Sequence, residues 1–154
     1  MINSNMEQKL KYSIFDLQKA SDENLVSLIY QKATELEFET FGENLTIANI
    51  AMKEFLAICV LQFEVENGGF DQFFLNYDLE YSEFVLSGLK RIGADDYKEL
   101  IEKAIIVFKN QNLDFLNKRN PDFDKFDDFF YNLNGMQKLQ IEYIRKNYEK
   151  FIIE

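Results

Sequence analysis

The stretch that determines the fold is residues 64–77, Glu64-Val65-Glu66-Asn67-Gly68-Gly69-Phe70-Asp71-Gln72-Phe73-Phe74-Leu75-Asn76-Tyr77. It contains the only adjacent glycines of the chain, and it follows directly on the most apolar run, Phe55 to Leu61. A helix that ends at Asn67 and Gly68 can place one of them in the left-handed conformation, where glycine has no Cβ to clash. The stretch therefore predicts that the long apolar helix closes here.

The residues that follow predict how the chain continues. Gly69 allows a tight reversal, and the Asp71 carboxylate can accept hydrogen bonds from the free N–H groups that begin the next short helix. We therefore expect two helices joined by a corner that aromatic side chains fill. Such a corner can be purely architectural.

The same residues carry a resemblance to a known family. The pattern Glu-Val-x-Asn-Gly-Gly-Phe-Asp-Gln-aromatic-Phe-x-Asn resembles the signature of a family of small bacterial domains, most of them of unknown function, which includes an acidic DNA-mimic protein. The segment Gly88 to Ala94 resembles the Leu-x-x-Ile-Gly-Ala step of the same family. The resemblance extends from Leu45 to Phe108, and it departs from the family at Glu66, where Asn is expected.

The resemblance implies an all-helical fold and a protein that occupies the DNA-binding surface of a transcription factor. A homodimer is a further expectation from the family. In this chain the residues assigned to the structural motif are Glu64, Glu66, Asn67, Gly68, Gly69, Phe70, Asp71, Gln72, Phe74 and Asn76.

Length and composition predict one globular domain that spans residues 1–154. A chain of 154 residues with 47% hydrophobic and 16% aromatic residues is large and apolar enough to bury a core. The lone cysteine, Cys59, cannot form an intramolecular disulfide, and the first residues lack the features of a signal peptide. No apolar run approaches the roughly 20 residues that cross a bilayer, so we expect a cytoplasmic protein that does not bind a membrane.

Hydrophobic periodicity and helix-start signals predict an all-α fold, with about seven helices in a single compact domain around a buried central helix. The central helix is expected to begin at Thr46 and to end near Glu66, because its middle is apolar on every side. Residues 35–41 alternate strictly between polar and apolar, which leaves both a strand and a helix open there. The other predicted helices start at Ser21, run from Tyr81 to Ile92, start at Asp95 or Asp96, start at Asn120, and run from Met136 to Ile153.

The negative charge is concentrated in one part of the chain. The whole protein has a net charge of −10, but residues 22–83 hold thirteen acidic residues and only two basic ones, which gives this segment −11. The remaining residues, with fourteen acids and fifteen bases, are close to neutral. This distribution argues against direct binding of nucleic acid, which needs a basic surface, and favours a basic protein partner.

The residues that most enzymes use are few. The chain has no histidine, and Cys59 lies in the apolar run, where a core role is favoured over a nucleophile. The acids between Asp122 and Asp128 lack the glycine and the closing glutamate of a calcium loop. Glu64 and Glu66 are two positions apart and point in nearly opposite directions on a helix. We therefore expect a protein that is not an enzyme and has no cofactor or metal.

Three hypotheses for function follow. The first is an acidic protein that mimics DNA and occludes a basic DNA-binding protein, because carboxylates accept bidentate arginine much as phosphates do. The second is an immunity protein that neutralises a basic nuclease toxin, and the third is a carboxylate-based metal-dependent enzyme. The plainest alternative to all three is an ordinary solvated surface. The residues predicted to bind the partner are Glu35, Glu37, Glu39, Glu43, Asp78, Glu80 and Glu83.

Overall fold

The computed structural model describes residues 9–40, 49–116 and 118–153. Within these residues there are seven α-helices and no strand, which confirms the predicted all-α fold of a single compact domain. The helices are α1 (Ile14–Lys19), α2 (Asp22–Thr40), α3 (Ile50–Asn76), α4 (Leu79–Ile92), α5 (Asp95–Asn110), α6 (Asp124–Asn132) and α7 (Met136–Lys146). Short 3-10 turns cover Leu113–Phe115, Pro121–Phe123 and Tyr148–Phe151.

Helix α3 is the buried centre of the molecule, as the apolar run predicts. Every residue from 51 to 58 is buried, because neighbouring helices cover this part of α3 on all sides. Asn49 caps the helix by accepting a hydrogen bond from the Met52 N–H at 3.2 Å. The predicted start at Thr46 lies outside the described residues.

Two hydrophobic clusters meet along α3. The C-terminal part of α3 packs with α4, α5 and α6 in a cluster that includes Leu61, Phe70 and Phe73. The N-terminal part, around Met52 and Phe55, packs with α1, α2, α7 and the last residues of the chain. Because α3 contributes to both clusters, it connects the two halves of the core.

The ambiguous segment 35–41 is helical as far as Thr40, because α2 continues through it. Helical geometry places Glu35 on a different face from Glu37, so these carboxylates do not form the single row that a strand would give. The remainder of the segment lies outside the described residues.

Several helix ends agree with the sequence, and others differ. Gly93 closes α4 in the left-handed conformation (φ 77°, ψ 24°), and Asn120 caps the turn that leads into α6. Helix α5 starts at Asp95, as predicted, but Ala94 precedes it and neither Asp95 nor Asp96 caps it with a side-chain hydrogen bond. Helix α7 ends at Lys146 rather than Ile153, because the chain leaves the helical conformation at Asn147.

None of the helices in the described ranges combines the length and the apolar character that crossing a membrane requires.

Candidate functional site

The Gly-Gly corner is a kink inside α3 rather than the end of a helix. Gly68 has φ −153° and ψ 15°, and Gly69 has φ 75° and ψ −174°, so the positive φ falls on Gly69 and not on Asn67 or Gly68 as predicted. A Cβ added at Gly69 would lie 2.4 Å from the Asp127 Oδ2 atom. Glycine is therefore required at position 69 for two reasons: the backbone conformation disfavours a side chain, and the Asp127 carboxylate occupies the space that a Cβ would need.

Asp127 supplies the helix cap that the sequence assigned to Asp71. The Phe70 N–H, which loses its helical partner at the kink, donates to Asp127 Oδ1 at 2.8 Å in a buried hydrogen bond. Asp71 instead accepts from the Asn120 N–H at 2.9 Å and so holds the loop before α6. The capping residue lies 57 positions along the chain from Phe70. A local sequence pattern cannot reveal a contact between residues so far apart.

Burial raises the pKa of both carboxyl groups at the kink. For Asp127 the loss of solvent is the largest effect, the hydrogen bond from the Phe70 N–H opposes it, and the nearby Asp71 charge adds to it. For Asp71 burial again raises the pKa, while the bond from the Asn120 N–H and the Arg119 charge lower it. Both acids therefore hold a proton more tightly than a solvated aspartate.

The remaining motif residues also make contacts within the domain. Glu64 is buried and accepts from the Asn76 side chain at 2.7 Å, and Asn67 donates to Gln72 at 3.3 Å. The ring of Phe70 contacts that of Phe74, with centroids 6.2 Å apart. Glu66 is exposed and accepts from Gln62. The hydrogen bonds from Asn76 to Glu64 and from Asn67 to Gln72 join the two arms of the kinked helix, whereas the other two contacts lie within one arm.

The predicted partner-binding residues of α2 are partly engaged within the protein. Glu35 is half-buried and accepts from the Leu10 N–H at 3.1 Å. Glu37 forms an ion pair with Lys53 at 2.5 Å, and Lys53 itself is buried. The side chain of Glu39 and the whole of Glu43 lie outside the described residues. Of the predicted α2 acids whose side chains are described, neither is a fully solvated carboxylate.

The predicted residues of α4 are more accessible. Asp78 is exposed and caps α4 by accepting from the Tyr81 N–H at 2.8 Å. Glu80 and Glu83 are exposed, and within the described ranges neither forms an ion pair. Asp78, Glu80 and Glu83 therefore present carboxylates to solvent from the start of one helix.

Lys53 connects these two groups of acids. Its ammonium group pairs with Glu37 and lies 5.1 Å from the ring centroid of Tyr81 and 5.6 Å from that of Phe84. The structure therefore brings the C-terminal half of α2 and the N-terminal half of α4 to the same side of α3. Glu37 therefore lies at the edge of the acidic region formed by Asp78, Glu80 and Glu83, although Lys53 compensates its charge.

Sequence reasoning missed the ion pair between the buried Glu54 and the partly exposed Arg91. This glutamate accepts from Arg91 Nε at 2.6 Å and from the Ser87 hydroxyl at 2.7 Å. The signal was present, because a glutamate directly before Phe55 in a helix that is buried on every side needs a cationic or hydrogen-bonding partner. Ser87 and Arg91, one turn apart on α4, provide both.

Within the ranges that the structure describes, no three acidic or thiol side chains are grouped so that they could hold a metal ion.

Comparison with known families gives a match over most of the chain. The family described as DMP19-like protein matches residues 49–147, which include α3, the Gly-Gly kink, α4, α5, α6 and α7. Comparisons with curated proteins and with solved structures give no match. Because the family match covers more than half of the 154 residues, the chain belongs to the DMP19-like protein family.

Proposed function

We propose that the protein is an acidic DNA mimic that occludes a basic DNA-binding protein such as a transcription factor. The observation that carries the proposal is the charge of −11 in residues 22–83 of a chain that belongs to the DMP19-like family. The resemblance that implied DNA mimicry rests on the motif residues, whereas the charge distribution is a separate property of the sequence. Two independent observations thus support the same role.

The accessible carboxylates of α4 are the best candidates for contact with the partner. Duplex DNA presents one negative charge per about 1.7 Å of helix axis, so a mimic needs several closely spaced anions that are free to accept hydrogen bonds. Glu80 and Glu83 meet this requirement at the start of α4, and Asp78 adds the carboxylate oxygen that does not cap the helix. Arginine side chains of a DNA-binding surface would bind them in place of phosphates.

The acids of α2 contribute to a different extent. Glu35 accepts a hydrogen bond from the Leu10 N–H and pairs with no cation that the structure describes. The charge of Glu37, in contrast, is compensated by Lys53. Replacement of Glu37 would leave a buried ammonium group without its counterion and would destabilise the fold. Tests of partner binding should therefore spare Glu37. Glu39 and Glu43 remain part of the proposed surface.

The proposed role is binding without catalysis or cofactor, to a protein and not directly to nucleic acid or membrane. A homodimer, also proposed, would double the acidic surface. Light scattering of the purified protein across a range of concentrations measures this directly, with a dimer mass expected and a monomer mass at every concentration contradicting it.

A pull-down from native lysate at low salt tests the proposal. We expect the protein to retain a basic DNA-binding protein, and excess duplex DNA to displace it, because both compete for one surface. Recovery of a nuclease would instead support the immunity-protein hypothesis. A retained protein that responds neither to DNA nor to salt would contradict mimicry.

Paired charge variants assign the surface. The double substitution Glu80→Gln with Glu83→Gln should weaken partner binding at least tenfold, because each glutamine keeps an acceptor but loses the charge that strengthens its hydrogen bonds with arginine. The matched control is Glu142→Gln with Glu149→Gln, which changes the net charge equally at exposed positions outside the acidic segment. Equal weakening in both variants would show that partner binding responds only to the net charge of the protein. It would contradict the assignment of α4 to the interface.

A further inference from the structure

An open cleft of about 640 Å³ lies beside the Gly-Gly kink. The second arm of α3, the end of α5 and the chain between α5 and α6 form its walls. The volume falls within the range of about 300–1,000 Å³ that is typical of small-molecule sites. The cleft is separate from the acidic residues of α4, which do not line it.

Three phenylalanines form the floor of the cleft. The ring of Phe74 stacks on that of Phe108 at a centroid distance of 4.6 Å, and on that of Phe123 at 5.6 Å. Leu75 and Leu116 line the sides, with 73% and 56% of their surface exposed. Phe74 and Phe123 are only 7% and 1% exposed, so they support the floor from beneath. The half-buried Phe108 and the two leucines supply the accessible apolar surface that can remove an alkyl or aryl group from water.

The polar groups at the rim are mainly N–H donors. The side-chain oxygens of Gln72 and Gln111 already accept from Asn67 and Asn120, which leaves their NH₂ groups as donors. The Lys118 side chain is exposed and forms no hydrogen bond or ion pair with any residue that the structure describes. A rim rich in donors complements a ligand that carries an acceptor anion.

Two carboxylates limit the positive charge of the rim. Asp124 binds one nitrogen of Arg119 at 2.5 Å, which leaves the other guanidinium N–H groups available. Asp71 also lines the cleft, and one of its oxygens is occupied by the Asn120 N–H. These two cations and two carboxylates sum to zero, so the rim does not suit a polyanion such as nucleic acid. Of the two cations, Lys118 is the one that no described carboxylate binds, and it can pair with a single negative charge.

We propose that this cleft binds a small amphiphilic carboxylate, with its alkyl or aryl tail on the phenylalanine floor and its carboxylate group hydrogen-bonded by Lys118 and Arg119. This inference does not depend on DNA mimicry.

Titration of decanoate into the isotope-labelled protein, followed by NMR, tests the proposal. Chemical-shift changes should concentrate in residues 72–75, 108–116, 118 and 119. Decanoate should bind about tenfold more tightly than decanol, which has the same tail without the charge. Equal affinity for both probes, or shift changes elsewhere, would overturn the proposal.

Variants separate the head group from the tail. Lys118→Gln with Arg119→Gln should weaken decanoate binding about tenfold and leave decanol binding unchanged. The matched control, Lys138→Gln with Lys146→Gln, changes the charge equally at exposed positions outside the cleft and should have no effect. Asp71→Asn, which keeps an acceptor for Asn120, should tighten decanoate binding. Unchanged decanoate binding in the Lys118 and Arg119 variant would refute the assignment of the head group.

Discussion

At the scale of single residues, the fold depends on positions where a Cβ atom would not be tolerated. Gly69 is the clearest, because its φ of 75° with ψ of −174° is a conformation that side chains essentially exclude, and because Asp127 fills the place of a Cβ. Gly93 also has a positive φ, but a Cβ added there would have no atom within 4 Å. The two glycines thus differ in two respects. The conformation of Gly69 is more strained for a side chain than the left-handed conformation of Gly93, and of the two only Gly69 has a steric conflict with another helix.

We predict that Gly69→Ala destabilises the protein by about 2–4 kcal/mol, from strain of about 1–3 kcal/mol plus displacement of the Asp127 cap. Gly93→Ala should cost only about 1 kcal/mol, as expected for a left-handed helix end. Urea unfolding of both variants measures the difference. Equal losses would mean that neither the conformation of Gly69 nor its contact with Asp127 adds to the cost of a side chain at the kink.

The raised pKa of Asp127 predicts a pH-dependent effect on stability. A carboxyl group whose pKa is higher in the folded protein favours folding when protonated, so its contribution falls as the pH rises from the ordinary aspartate range through the raised value. Asp127→Asn removes this titration and keeps an acceptor for the Phe70 N–H. The free energy of unfolding of the variant relative to the wild type should therefore increase with pH across this window.

The exposed neighbour Asp128 provides the control for this experiment. Asp128→Asn changes the charge equally on the same helix, but without a bond to the kink. A parallel pH profile for the two variants would contradict the assignment to Asp127.

At the scale of elements, the close contact of α3 and α4 depends on the ion pair of a buried glutamate and on a small residue. Glu54, 2% exposed, binds Arg91 and Ser87 of α4, and a Cβ at Gly88 would approach the Glu54 Cβ to 3.0 Å. The pair matters because an unpaired carboxylate at this depth would be strongly destabilising. Gly88 matters because it lets the helices approach closely enough for the pair to form.

We predict that Glu54→Gln destabilises the protein by about 1.5–3 kcal/mol, the value of hydrogen bonds that involve a charged group. Glu99→Gln removes an exposed pair with Lys103 within α5 and should change stability far less. Thermal unfolding of both variants gives the comparison. A loss in Glu99→Gln as large as that in Glu54→Gln would show that burial does not strengthen the α3–α4 pair.

The elements also show what the sequence can and cannot predict. The apolar run from Phe55 to Leu61 and the glycine at position 93 act locally, so the buried helix and the end of α4 were correctly predicted. The cap of Phe70 comes from Asp127, and the partner of Asp71 is Asn120, so both depend on how distant helices pack. Likewise, the pairing of Glu37 with Lys53 arises from the contact of α2 with α3.

At the scale of the whole molecule, charge and core are arranged around the same helix. Helix α3 positions α4, whose start presents Asp78, Glu80 and Glu83, and its Lys53 joins α2 to that side of the protein. The packed core thus fixes where the carboxylates lie. In the proposed function, this positioning allows a basic surface to bind without rearrangement of the mimic.

Displacement of DNA from the purified partner would decide between mimicry and a merely acidic surface. The fluorescence anisotropy of a labelled duplex bound to that partner is measured as the protein is added, at low and at high salt. We predict a fall in anisotropy to the value of free duplex, at protein concentrations that rise with salt. Persistence of the DNA complex at saturating protein, or formation of a ternary complex with higher anisotropy, would contradict DNA mimicry.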